Sequence, residues 1–120
     1  VVSVPIFFFY RHKGIVSDRW YDGKPMVISS SDRAGGAREE PWDVFAQDRV
    51  VTVDGYLGGL SSVEVLQRAR SLIGTPYHVL IRNCDHFVTY AHGLEPQSAQ
   101  VVLTCVIALG VAALAVARAA

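Results

Sequence analysis

Hydrophobic and polar positions change in short blocks along the first half of the chain. Residues 2–9 are apolar and rich in β-branched and aromatic types, the composition of a strand. Pro5 inside that run predicts a sheet edge or a bulge. "HKGIVS" (12–17) and "PMVISS" (25–30) read as second and third strands. The polar "DRWYDGK" between them carries Asp22-Gly23, a tight-turn pair, so the strands should form an antiparallel meander. Residues 31–40 read as a glycine-rich, charged loop. "RVVTV" (49–53) is a further strand candidate, ended by Asp54-Gly55, and Gly58-Gly59 marks a break.

The second half changes period. Val65, Leu66, Ala69, Leu72 and Ile73 recur at helical spacing, which predicts a helix over 61–73. Ser61 and Glu64 form a capping box at its start, and Gly74 with Pro76 ends it. A second helix is expected over 84–92, with Asn83 as N-cap and Gly93 as terminator. Cys84, Phe87, Val88 and Ala91 share one of its faces, and Asp85, His86 and Tyr90 point elsewhere.

Residues 101–117 carry no charge. As a helix they would span about 25 Å at about 1.5 Å per residue, short for a hydrocarbon core of about 30 Å. The apolar character on all sides suits a membrane anchor better than a one-sided surface helix, and small residues there could also pack helix on helix. We therefore expect a globular domain over 1–97 and an apolar C-terminal helix over 98–120. Pro5 and the lack of a small-residue cleavage site argue against a signal peptide.

The chain has 120 residues, with 11 basic and 11 acidic side chains. That balance gives no field for nucleic acid, and no basic run suggests one. Two cysteines, Cys84 and Cys105, fit a reducing compartment.

Cys84 is the residue with the most chemistry to offer. At the first turn of a helix, unpaired N–H groups and the dipole favour an anion, so a thiolate there should be stabilised and its pKa lowered. A nucleophilic thiolate also wants a base. Of the four histidines, His12 opens a strand and would be held rigidly. His86 projects off another face, His92 sits at the far end of the helix, and His78 precedes it in an extended segment. No CxxC or HExxH spacing supports a metal site. On the residues alone, nucleophile and small buried cysteine both stand open.

"NCDHFV" (83–88) resembles the "NCEHFV" signature of the lecithin:retinol acyltransferase-like proteins. "YRHKGIV" (10–16) is similar to their histidine-bearing strand, and "IGTPYHVLIRNC" resembles the segment that leads into their nucleophile helix. The apolar tail also resembles their C-terminal anchor. The resemblance implies an α+β fold: a small antiparallel sheet with packed helices, papain-like of the NlpC type and circularly permuted so that histidine precedes cysteine. It further implies Cys84 as nucleophile and His12 as base; no cofactor is expected, as no metal is from the spacing above. The family commonly has a second histidine on the next strand; alignment of "VIS" with "VIH" puts Ser29 there, able to accept from an imidazole N–H. Asp85 replaces a glutamate on what reads as an outward face.

The expected activity is a phospholipase or acyltransferase reaction on lipid esters through a thioester on Cys84. Asn83, Tyr10 and Tyr77 are candidates for the oxyanion site or the site lining. The expected setting is a membrane engaged through 101–117, with the active domain on the reducing, cytoplasmic side and possible self-association through the apolar helix. Two alternatives use the same residues differently: an NlpC-type cysteine peptidase or amidase, and a catalytically silent membrane-anchored module. Trp20, Tyr21 and Trp42, in expected loops, should close over the core more readily than meet lipid.

Overall fold

The structure is a computed structural model that describes residues 1–7, 10–77 and 83–94. The expected apolar helix over 98–120, Cys105, His78 and the side chain of Tyr10 lie outside the described residues. Within them the chain is an α+β fold: five antiparallel strands, in the order 36–40, 24–31, 10–21, 2–7 and 52–53 across the sheet, with helices packed against it.

The strands β1 (Val2–Phe7), β2 (Tyr10–Tyr21), β3 (Lys24–Ser31) and β4 (Gly36–Glu40) form the expected meander. Asp22 and Gly23 both take positive φ, 52° and 76°, the conformation a tight hairpin turn demands. Pro5 pairs with Arg11, and the β1–β2 register shifts between Pro5 and Phe7. The residue without an N–H therefore sits where the ladder is irregular. Strand β5 is only Thr52–Val53, shorter than the expected 49–53, and pairs with Ser3 and Val2.

Two corrections concern charge. Residues 36–40 are a strand, not part of a loop, and β2 runs on through Asp18 and Arg19. Both segments lack an apolar signal because their charges are used in pairing. Arg70, from the following helix, reaches Asp18, Ser17 and Glu39, and Arg19 also pairs with Glu39. Arg33 pairs with Glu40 across the 32–35 turn at 2.8 Å. Burial raises the Glu39 carboxyl, but hydrogen bonds from Arg70 and Ser17 hold it below the usual carboxylate range.

The helices are α1 (Trp42–Ala46), α2 (Ser62–Ser71) and α3 (Cys84–Ala91). Helix α1 was not legible: it has five residues, Pro41 at its N-cap and no side-chain cap. Helix α2 begins as its capping box predicts, with Ser61 Oγ accepting from the Glu64 N–H at 3.2 Å.

Strand alternation divides the core between two faces. Ile15 and Ile28 pack with Val65, Ala69, Phe87, Val88 and Ala91 of α2 and α3. Val2, Val4 and Val27 pack with Phe45 of α1. Each fully buried Val, Ile or Phe contributes about 1.5–3 kcal/mol, so both faces are needed. Trp42 joins the second cluster, whereas Trp20 and Tyr21 end β2 at 67% and 62% exposure and do not close over the core. They sit at the hairpin tip, beyond the last residue either cluster can cover. No helix among the described residues is long and apolar enough to cross a membrane.

Candidate active site

Helix α3 starts where the sequence places it. Asn83 is extended, with φ −89° and ψ −177°, and its Oδ1 accepts from the His86 N–H at 3.0 Å. Such a cap is worth about 1 kcal/mol and leaves Cys84 as the first helical residue. Phe87, Val88 and Ala91 bury on the sheet and fix the helix's rotation about its axis.

The helix start meets β2 where that strand loses a neighbour. The β2–β3 ladder runs from Tyr21↔Lys24 to Ile15↔Ile28. Further up, β3 stays paired with β4, Ser29↔Arg38 through Ser31↔Gly36, and the β3 side of β2 opens. Cys84 fills that opening. Its thiol donates to the Arg11 carbonyl at 3.7 Å, and the Lys13 N–H favours its thiolate. Sγ thus lies at the strand edge, against the residue that precedes His12.

The imidazole itself turns toward α1. Its ring centroid is 5.0 Å from that of Phe45, tilted by 37°. Val4 pairs with His12 across the ladder and belongs to the Phe45 cluster, which confirms that face. Gly14, two residues on, shows how tight the cover is. A Cβ there would lie 2.5 Å from Val27 Cγ1 and 3.0 Å from Phe45 Cε2.

Burial dominates both titrations. It lowers His12 from 6.5 to about 4, with the Arg33 charge acting the same way. It pushes the Cys84 thiol up from 9.0 to about 11, with Asp85 adding to the rise and the Lys13 N–H and ammonium opposing it. The lowered thiol pKa expected from a helix N-terminus is therefore corrected. Desolvation of a residue only 8% exposed outweighs the peptide dipoles there. The resting pair is a neutral thiol and a neutral imidazole.

Ser29 is buried on β3, on the Val27 side by alternation. His12 Nε2 is buried without a hydrogen-bond partner, so the serine does not hold that nitrogen. Tyr77 is half-buried just before α3, and Tyr10 heads β2. His86 is half-buried with Nδ1 unpaired, its pKa lowered by burial. His92 is a structural residue, fully buried, with Nδ1 2.7 Å from Val88 O and its ring edge-on to Tyr56 at 4.9 Å. Among the described residues no group of His, Cys, Asp or Glu is gathered to hold a metal.

Asp85 does not point outward. It is buried and its Oδ1 lies 2.7 Å from Lys13 Nζ. In the sequence Lys13 reads as an ordinary residue of the 12–17 strand. The signal available was its position one residue after His12 and on the opposite face, toward the helix that brings the cysteine.

These features can be set beside known proteins. The sequence model of the lecithin retinol acyltransferase family matches residues 21–94, a span that includes Ser29, Asn83 and Cys84 and begins after His12. Bovine (Bos taurus) lecithin retinol acyltransferase is 49% identical over 88 residues, covering 68% of this chain. The chain spans 38% of that relative's length. No solved structure matches. With a family match over more than half its length and a relative at this identity, the chain belongs to the lecithin retinol acyltransferase family.

Proposed function

We propose that this chain carries out cysteine-dependent acyl transfer on lipid esters, with Cys84 as nucleophile and His12 as base. The observation that carries the reading is the seat of the thiol. It stands at the first turn of a capped helix, against the strand backbone that flanks the one histidine of β2. Family membership supplies the lipid and acyl-transfer chemistry, and the histidine-before-cysteine order suits a permuted papain-like fold.

In the reaction the thiol leaves the Arg11 carbonyl, and the imidazole, which faces Phe45 at rest, swings to the open edge of β2 to meet it. His12, unprotonated at neutral pH because it titrates near 4, takes the proton as sulfur attacks the ester carbonyl. With the thiol near 11, a free ion pair is disfavoured at rest. Proton transfer and C–S bond formation therefore proceed together. Backbone N–H groups at the start of α3 receive the oxyanion. Collapse expels the alcohol, which takes its proton from the His12 imidazolium, and leaves a thioester on Cys84. Water, or an acceptor alcohol or amine, then releases the acyl group. Residues 101–117 supply the membrane contact that brings lipid to a domain in a reducing compartment, consistent with the free thiol.

The test is intact mass after incubation with phosphatidylcholine vesicles. An acyl adduct is expected on the wild-type chain, absent from Cys84→Ala at equal folding. Peptide cleavage without an adduct, or no turnover of either substrate by folded protein, overturns the reading.

A further inference from the structure

Among the described residues, Lys13 and Asp85 supply the charges that act on the Cys84 sulfur. Lys13 follows His12 on β2 and Asp85 follows Cys84 on α3. The pair therefore joins the two elements at the residues next to the proposed base and nucleophile. Its separation is 2.7 Å, and the Asp85 side chain is only 4% exposed. Such pairs add little net stability over apolar replacements, yet breaking one strands a buried charge. Stability alone is thus a weak reason for an ammonium at this point of the sheet.

Lys13 meets the site in two ways. Its side chain clamps the helical residue after Cys84, and its backbone N–H and ammonium both favour the thiolate. Any change that lifts α3 from β2 must stretch that clamp. We infer that Lys13 is a positioning residue for the nucleophile: paired with Asp85, it seats the first turn of α3 on the edge of β2 and sets the charge felt by the Cys84 sulfur. The balance is directional. The Asp85 carboxylate opposes ionisation of the thiol, and the Lys13 ammonium favours it. As charge develops on sulfur or on a nearby oxyanion, the ammonium can lean from the carboxylate toward it, because Lys13 keeps 28% of its side chain open to solvent. Asp85 then acts as the resting holder of a cation used during the reaction.

This rests on Cys84 as the reactive group, but it can be read without lipid. The experiment is the rate of iodoacetamide alkylation of Cys84 against pH, by intact mass, with circular dichroism as the fold control and Cys105→Ala as background. Lys13→Met should raise the thiol pKa and slow alkylation at pH 8 by about tenfold, the effect of about one pKa unit. Asp85→Asn should speed it by a similar factor. Lys13→Arg keeps the cation and should stay near wild type. Lys13→Met with Asp85→Asn removes both charges, strands neither, and should return near wild type. Folded single variants that shift the rate in the same direction, or not at all, would overturn the assignment. If Lys13→Met unfolds, Asp85→Asn and the double variant still decide it. A wild-type chain that alkylates as described yet turns over no lipid would sink the proposed function and leave this inference standing.

Discussion

The Cys84 thiol donates to the main-chain carbonyl of Arg11, 3.7 Å away, rather than to an imidazole. Arg11 is itself fixed. Its guanidinium reaches Ser3 Oγ at 2.8 Å, Ser3 O at 3.2 Å and Thr52 Oγ1 at 3.0 Å, tying β2 to β1 and β5. The sulfur rests against the carbonyl of a residue whose side chain ties three strands together, and in the proposed reaction the proton it gives up is held there until substrate arrives.

The first consequence concerns the pH dependence of turnover. In the proposed reaction His12 must be unprotonated to accept the thiol proton, and burial lowers it to about 4. Fatty-acid release should therefore stay flat across pH 5.5–7.5, where an ordinary histidine would titrate. It should fall only as pH approaches 4, and no alkaline loss is expected below the thiol's value of about 11. A steady-state profile from pH 4.5 to 9 checks this. An acid limb centred near 6.5 would exclude a buried His12 as the base.

Folding stability should follow the same histidine. Its folded pKa lies below its unfolded one, so the unfolded chain binds the proton first. The contribution is intact above about pH 6.5, declines as pH falls through the window, and is fully lost near pH 4. A shift from 6.5 to about 4 corresponds to at most about 3 kcal/mol. Urea unfolding at pH 7 and pH 4.5 should show wild type losing more stability than His12→Gln. Parallel losses would mean that the ring titrates normally. His86 and His92, also lowered by burial, supply a background common to both proteins.

Gly14 guards the same face. A methyl group there meets Val27 Cγ1 at 2.5 Å and Phe45 Cε2 at 3.0 Å. Gly14→Ala should cost about 1–3 kcal/mol by overpacking and displace the ring that His12 stacks against. Thermal unfolding and turnover together read the effect. An alanine variant with wild-type midpoint and rate would show that the cover over His12 yields freely.

Local chemistry made much of this legible. The S-x-x-E box at Ser61, the Asn83 cap and the Asp22-Gly23 turn each act within a few residues, so the sequence carries them openly. Pro5 marked its irregular ladder for the same reason. What stayed hidden depends on partners far along the chain. Strand β4 reads as a loop because Glu39 and Glu40 find their cations only in the folded state, at Arg70 and Arg33. The thiol's environment stays hidden because helix-terminus electrostatics are visible in the sequence, whereas the burial that outweighs them is a property of the packed site. Lys13 and Asp85 are 72 residues apart, and nothing local links them.

Gly36 stands where β4 meets the segment that follows α2. A Cβ on it would fall 2.0 Å from the Thr75 carbonyl oxygen. Its bare Cα lets Pro76 bridge Gly36, while Ala37 exchanges hydrogen bonds with Thr75 and Gly74 at 3.0 and 2.9 Å. The first half of β4 thus has no open rim for a foreign strand to extend. Two copies of this domain that meet must do so by some route other than zipping their sheets together there, and the stretch that feeds α3 serves as its own selvedge.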